Sequence, residues 1–360
     1  MSMATAQPKT LRTDKPRTAY TLVELLVVMA ALTVLAAVTL PSLKTLLHDQ
    51  KVTSAARMVK AHFEAAQGRA IASNSPVAVI LERSDATSPN TVSRLSIGQV
   101  FPPYEGDITG AIGALSDSDG DNFLDTLTVV NATAMASLLS INPTPPIFGP
   151  GDYLQLDDRQ SVYLVESVSP GATAVIKFKN PANYQEGDLQ ANTRLTTNAS
   201  FRLFRKPTKS FLQTLVLPRG TCVDLSVSGF GPSGPEFSNA ATDCLAMIVF
   251  NAQGRIAYWD KAVGVPIVGG PLPATSLLHL LVGRTEQVSL SDPPEVATEN
   301  DTTIVNANVN DNANSWLTIN PFTGAITSAG MQAGSEGSAL AVRLPVSRAF
   351  ATYGITQSEN

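Results

Sequence analysis

The sequence predicts an α+β fold: a long N-terminal helix, its first half membrane-spanning, packed on a mostly antiparallel β-sheet head. Three observations carry this reading. From Leu25 to Leu40 every residue is apolar except Thr33 and Thr39. Between Val52 and Ala70, apolar residues recur at alternating spacings of four and three, the signature of one helical face. Past Pro76 the chain becomes a series of short runs rich in β-branched and aromatic residues, bounded by Gly, Pro, Asn, Asp and Ser.

The bulk numbers fit a folded chain. At 360 residues, 44% hydrophobic and 15% charged, it has enough apolar surface for one large or two small domains and is not a disordered polymer. Charge is uneven. Residues 1–19 carry Lys9, Arg12, Lys15 and Arg17 against Asp14, a surplus of +3, so the remainder holds −8 of the overall −5. So acidic a head does not favour nucleic acid, whose binding relies on Lys and Arg contacts to phosphate.

The first element is the basic leader, residues 1–19, followed by the apolar run from Tyr20 to Leu40. The run has about the twenty residues a helix needs to cross a bilayer, and the positive leader orients to the cytoplasm. A cleaved secretory signal has a shorter apolar core and a small-residue cleavage site at its polar edge. Here that edge reads "TLPSLKTLLHDQ". Neither a secretory signal nor a plain anchor explains Glu24, whose carboxylate costs on the order of 3 kcal/mol inside hydrocarbon.

"AYTLVELLVVMAAL" (Ala19–Leu32) resembles the N-terminal signature of type IV pilin-like proteins. The resemblance implies cleavage by a prepilin peptidase between Ala19 and Tyr20, N-methylation of Tyr20, and Glu24 as the fifth mature residue. Pro41 falls at the twenty-second mature position, where the family often has proline. One departure is Ala19, where the family usually has Gly; the leader is also longer than usual. The resemblance gives Glu24 a role: its carboxylate pairs with the α-amino group of a neighbouring subunit's Tyr20. A buried charge is tolerable when paired and a penalty when it is not, so the pair sets subunit register.

The second helical segment carries its stripe on Val52, Ala56, Val59, Phe63, Ala66 and Ala70 and ends at Asn74, Ser75 and Pro76. The long helix is thus predicted over residues 20–75, transmembrane over about 21–41, with Pro41 expected to kink it or loosen a turn. Residues 76–360 form the β-rich head. Strands are predicted at Val77–Arg83, Thr91–Ile97, Ser161–Val168, Thr173–Lys179, Ser200–Arg205 and Leu212–Leu217. Further strands are predicted at Cys222–Val227, Ala246–Asn251, Arg255–Asp260, Ser276–Gly283 and Ser315–Asn320. "NAQG" (Asn251–Gly254) and "NPFTG" (Asn320–Gly324) read as hairpin connections.

Within the family, "ARMVKAHFEAAQGRAIASNSPVAVILER" followed later by "AMIVFNAQGRI" is similar to the H-type minor pseudopilins of type II secretion and their type IV pilus relatives. Typical members are much shorter. The surplus is expected as β-rich insertions, one over about residues 98–200 and a C-terminal extension over about 284–360.

Three groups of residues are candidates for chemistry. Asp117, Asp119, Asp121 and Asp125 in "DSDGDNFLD" have the spacing of short calcium loops, and the alternative is a solvated acidic turn. Cys222 and Cys244 form a disulfide in an oxidising compartment or stand as two separate thiols. "FRKPTKS" (Phe204–Ser210) is a small basic patch. No enzyme is expected: His48, His62 and His279 have no neighbourhood resembling a catalytic triad, and "GFGPSG" (Gly229–Gly234) lacks the residues of a phosphate loop. No cofactor other than calcium is expected.

The functional expectation is a structural one: a minor pseudopilin of a type II secretion pseudopilus. The alternative is a minor type IV pilus subunit acting as an adhesin or DNA-uptake module. Its partners would be prepilin peptidase, other pilins or pseudopilins, and the inner membrane. The chain would be single-pass in that membrane, with leader in the cytoplasm and head in the periplasm, before assembly into a periplasmic pseudopilus or surface pilus.

Overall fold

The structure, a computed structural model, describes residues 22–84, 88–106, 108–120, 123–130, 148–156, 162–169, 173–179, 198–232, 234, 237, 246–260, 274–288, 307–332 and 340–353. Helix α1 is Leu22–Ser73. The chain divides into two compact units, Met1–His48 and Asp49–Asn360, so α1 contributes a segment to each.

In the first unit, every residue from Leu22 to Ala37 is exposed, and all but Glu24 and Thr33 are apolar.

The second unit is built on strands. In chain order they are β1 (Val77–Arg83), β2 (Thr91–Gln99), β3 (Ile112–Ser116), β4 (Thr126–Val130) and β5 (Tyr153–Leu156). Then come β6 (Val162–Ser169), β7 (Thr173–Lys179), β8 (Asn198–Phe204), β9 (Thr208–Val216) and β10 (Thr221–Phe230). The last five are β11 (Ala246–Phe250), β12 (Ile256–Asp260), β13 (Leu278–Arg284), β14 (Ser315–Ile319) and β15 (Ile326–Gly330), and helix α2 (Leu340–Tyr353) follows.

Nine strands make one antiparallel sheet in the order β12-β11-β1-β2-β10-β13-β14-β15, with β9 also paired to β2. Every strand on that path sends apolar side chains to a single core, and the α1 residues Ala55, Ala56, Val59, Phe63, Ala66 and Ala70 sit in it. Phe63 meets Phe250 of β11 edge-on, ring centroids 6.3 Å apart. The two ends of the path meet: the Ile256 amide at the start of β12 donates to the Pro321 carbonyl in the β14–β15 turn, 3.1 Å. The sheet therefore curls around this part of the helix.

The helix and the two hairpin turns are clasped by Gln67, whose amide nitrogen donates to the Gly254 carbonyl (2.8 Å) and the Gly324 carbonyl (2.7 Å). Both glycines have positive φ, +75° and +73°. A Cβ on Gly324 would lie 2.1 Å from the Gly254 carbonyl oxygen, so the approach itself requires glycine. The helix ends as its stop signal predicts. Asn74 takes φ +48°, and the Ser75 amide donates to the Ala70 carbonyl at 3.2 Å.

Between β2 and β9 the chain leaves the sheet and forms a closed six-stranded barrel, order β3-β4-β7-β6-β5-β8. Its core is separate, with Leu127, Leu154, Tyr163, Ile176, Phe178 and Leu203 among its buried residues. On the far face of the large sheet, α2 packs Leu344 and Ala351 against Val227, Leu281 and Trp316. Trp316 donates its ring N–H to the Ser347 hydroxyl, 2.8 Å. The buried Arg348 guanidinium donates to the carbonyls of Gly231 (2.7 Å) and Val227 (2.9 Å) and lies over the Trp316 ring. Held this way, α2 tolerates the missing backbone donor of Pro345 inside it.

Two expectations are corrected. The α+β class, a long helix on a mostly antiparallel β-sheet head with β-rich insertions, gives way to a mostly-β architecture, 43% strand among the described residues, in which a closed barrel stands beside the large sheet. Barrel closure is a long-range pairing of short strands, which local composition does not encode. The membrane-spanning half of the helix and the single-pass inner-membrane placement, with cytoplasmic leader and periplasmic head, are also withdrawn. Among the described residues, no helix is long and apolar enough to cross a membrane.

Candidate functional site

The strongest surface feature is the Leu22–Ala37 segment of α1. Leu22 is 81% exposed and Val34 is 66% exposed, values far outside those of a packed helix. Soluble monomers rarely expose contiguous apolar patches larger than a few hundred Å², and larger ones mark interaction sites. Glu24 is the one acid on this segment and is itself exposed. Ala19 and Tyr20 lie outside the described residues. Pro41 lies within α1, which includes it as helix.

The acidic loop is the connection from β3 to β4. The Asp117 carboxylate accepts the amides of Asp119 (3.1 Å) and Gly120 (2.7 Å), and Gly120 takes φ +81° to allow that turn. Asp125 accepts the Ser118 amide at 2.8 Å and the Ser118 hydroxyl at 2.5 Å, and Lys177 of β7 stands 3.7 Å away. Asp121 lies outside the described residues. Among those described, no three His, Cys, Asp or Glu side chains converge on a point where a metal ion could sit. Asp117 and Asp125 thus cap their own loop, and Asp125 also ties it to the barrel. Asp125→Ala is expected to destabilise the chain by about 1–2 kcal/mol, the loss of charge-assisted hydrogen bonds at a part-buried site. Asp119→Asn is expected to cost less than about 0.5 kcal/mol, because its side chain is exposed. Urea denaturation of the two variants checks both.

Cys222 is a buried thiol on β10, and burial, with Asp224 beside it, pushes its pKa up. Cys244 lies outside the described residues. The basic patch is spent on local contacts: Arg205 stacks on Phe101 at 4.5 Å, Lys206 stands 6.0 Å from the Tyr153 ring, and Lys209 pairs with Glu82. His279 is core. Its Nδ1 and the Thr318 hydroxyl are 3.0 Å apart, and burial, then Arg348, push its pKa down to about 3.

A cluster that sequence reasoning missed surrounds Asp224, fully enclosed on β10. Its Oδ1 accepts the Ser226 amide (2.9 Å) and hydroxyl (2.5 Å), and its Oδ2 accepts the Asn308 amide nitrogen (2.8 Å). Asn308 in turn accepts the Arg284 amide (2.8 Å) through its side-chain oxygen, while Asn314 donates to the Asn308 carbonyl (2.8 Å). The Arg284 guanidinium faces Asp49 of α1 (2.9 Å) and Asp311 (3.5 Å). Burial pushes the Asp224 carboxyl up to about 6, with the Ser226 and Asn308 hydrogen bonds opposing. Register shifts between Asp224 and Gly229 on β10, so the ladder opens where the cluster sits. This is a joint between strands, helix and the 308–314 segment, with Asp224, Asn308 and Asn314 buried and Asp49 at its exposed rim. The sequence signal was Asp224 set among the apolar Cys222, Val223 and Leu225.

No family model, curated protein or solved structure matches the chain.

Proposed function

We propose that the chain is a structural subunit of a pilin-like filament, a minor pseudopilin of the type II secretion kind, matured by a prepilin peptidase between Ala19 and Tyr20. The observation that carries this reading is the exposed segment Leu22–Ala37, which is apolar on every side and bears a single acid. A helix hydrophobic all round is stable only when buried. Helices of sister subunits, packed side by side, supply that burial. The register of Tyr20, Glu24 and Pro41 matches the resemblance described above. Glu24 then pairs with the amine of a neighbour's Tyr20.

The test uses cells that hold the prepilin peptidase and a major subunit. The intact mass of the filament-borne protein is expected to begin at Tyr20, methylated or not. Glu24→Ala is expected to lower incorporation into sedimented filaments at least tenfold. Its loss leaves the partner amine buried without a counter-charge, which costs about 3–5 kcal/mol. A mature chain beginning beyond Leu40, or a Glu24→Ala protein that assembles like the wild type, overturns the proposal.

A further inference from the structure

A groove of about 510 Å³ opens between the end of α1 and the strands β1, β2 and β9. Its floor follows from register. Val77 pairs with Gln99 and Val79 with Ile97. Val77, Val79 and Ile97 belong to the core that the helix shares, so this face of the sheet is the one turned to α1. A Cβ on Gly98 would instead meet Ile80 and Pro207, on the opposite face. On the side that faces these strands α1 carries alanine. Ala66 and Ala70 are buried in the shared core, and Ala72 stands exposed at the groove. Methyl groups do not fill the wedge between helix and strands, so Val77 and Ile97 present an apolar floor at this end.

The rim is polar, and part of it is unpartnered. The Ser73 and Ser75 hydroxyls bond each other at 2.7 Å. Carbonyls at the helix end are already occupied: that of Arg69 by the Ser73 hydroxyl (2.7 Å), that of Ala70 by the Ser75 amide (3.2 Å) and that of Ile71 by the Asn74 amide (3.3 Å). The exposed Arg69 guanidinium has no ion-pair or hydrogen-bond partner among the described residues, and the side chains of Gln99 and Ser210 have none either. Arg69 is the one charged residue lining the groove among those described.

This combination selects the chemistry of an occupant. Sites for small organic ligands join an apolar lining to a few polar groups that fix orientation, and the groove has both. A free guanidinium offers a planar fork whose two parallel N–H donors match a carboxylate. Only one cation lines the groove, and it stands about one turn from the C-terminus of α1, where the helix dipole opposes added negative charge. A monoanion is therefore favoured over a dianion such as phosphate. The geometry points to a binding site for a monocarboxylate with a short apolar body, its carboxylate on Arg69 and its body on Val77 and Ile97. Gln99 and Ser210 supply neutral hydrogen-bonding groups at the rim. The inference does not depend on the filament reading.

The experiment is saturation-transfer NMR on the full chain at neutral pH, kept in a neutral steroid-based detergent, with protein-free detergent subtracted. The probes are 3-phenylpropionate and hexanoate. Acetate and inorganic phosphate are the anions without an apolar body, and 3-phenylpropanamide is the neutral isostere. At least one of the two probes is expected to bind saturably at millimolar concentration or below, and the three controls more weakly. Arg69→Gln is expected to weaken carboxylate binding roughly tenfold and to leave the amide unchanged, a charge-specific readout. Ala72→Trp fills the groove from an exposed helix position and is expected to weaken carboxylate binding by a similar factor. Melting temperatures should stay at the wild-type value in both variants, since both positions are exposed, which separates lost binding from lost folding. Four results overturn the assignment: neither probe binds, acetate or phosphate binds as tightly as the probes, the amide binds as tightly as 3-phenylpropionate, or carboxylate binding is unchanged in either variant. None of these results bears on where the chain is cleaved or on the role of Glu24, so the filament proposal stands or falls separately.

Discussion

Phe63→Ala is expected to lower the stability of the chain by about 3–5 kcal/mol, read as a fall in the urea midpoint at unchanged slope. Phe63 is fully buried at the centre of the face that the curled sheet encloses. Its ring meets Phe250, and its neighbours along the helix, Val59 and Ala66, are equally enclosed. Strands from both ends of the sheet path contribute to the same core, so the surroundings cannot collapse into the space the ring leaves without moving the whole wrap. The cost is therefore set at the cavity end of the range for aromatic truncations rather than the relaxed end. Ala65→Ser, on the exposed side of the same helix, is the control and should change stability by less than about 0.5 kcal/mol. A loss under about 1 kcal/mol for Phe63→Ala would mean that the sheet does not close on the helix.

This part of the fold was legible because its signals are local. The four-and-three spacing from Val52 to Ala70 names the buried face residue by residue, and Asn74 and Pro76 mark its end. Val77–Arg83 and Thr173–Lys179 stand out as apolar, β-branched runs and are strands at those bounds. What stayed hidden depends on distant partners. Strands β3, β4 and β5 have only five, five and four residues, and their closure around the barrel is set by β8, more than 40 residues later. Helix α2 carries Pro345 in its interior and Arg343 and Arg348 on buried positions, so its sequence argues against a packed helix until Trp316 and the β10 carbonyls are in place.

The remaining large effect is a pH dependence centred on Asp224. The carboxyl has a folded value of about 6 against a usual 3.8, raised by complete burial. The groups that face it are neutral or directed elsewhere: Ser226 and Cys222 on its own strand, Asn308 from the following segment, and Arg284, whose guanidinium turns to Asp49 and Asp311. The folded protein therefore holds this proton more tightly than the unfolded chain. By linkage, the stability from the protonated form is fully present below about pH 4. It is lost as pH rises through about 6, an effect on the order of 3 kcal/mol. Denaturant midpoints measured from pH 4 to pH 8 should fall across that window, after the contribution of exposed carboxylates is removed by comparison with a variant. The variant is Asp224→Asn, which cannot titrate. Its own cost arises from geometry: the new amide nitrogen stands where Oδ2 accepted Asn308, so two N–H groups face each other, at about 1–3 kcal/mol. Asn308 cannot turn its oxygen inward without giving up the Arg284 amide. Asp224→Asn should thus be less stable than the wild type at pH 4, and the gap should narrow as pH rises to 8. A gap that stays constant across the range would place the carboxyl's proton affinity at its ordinary value, and the buried cluster would then be a fixed joint with no sensitivity to pH.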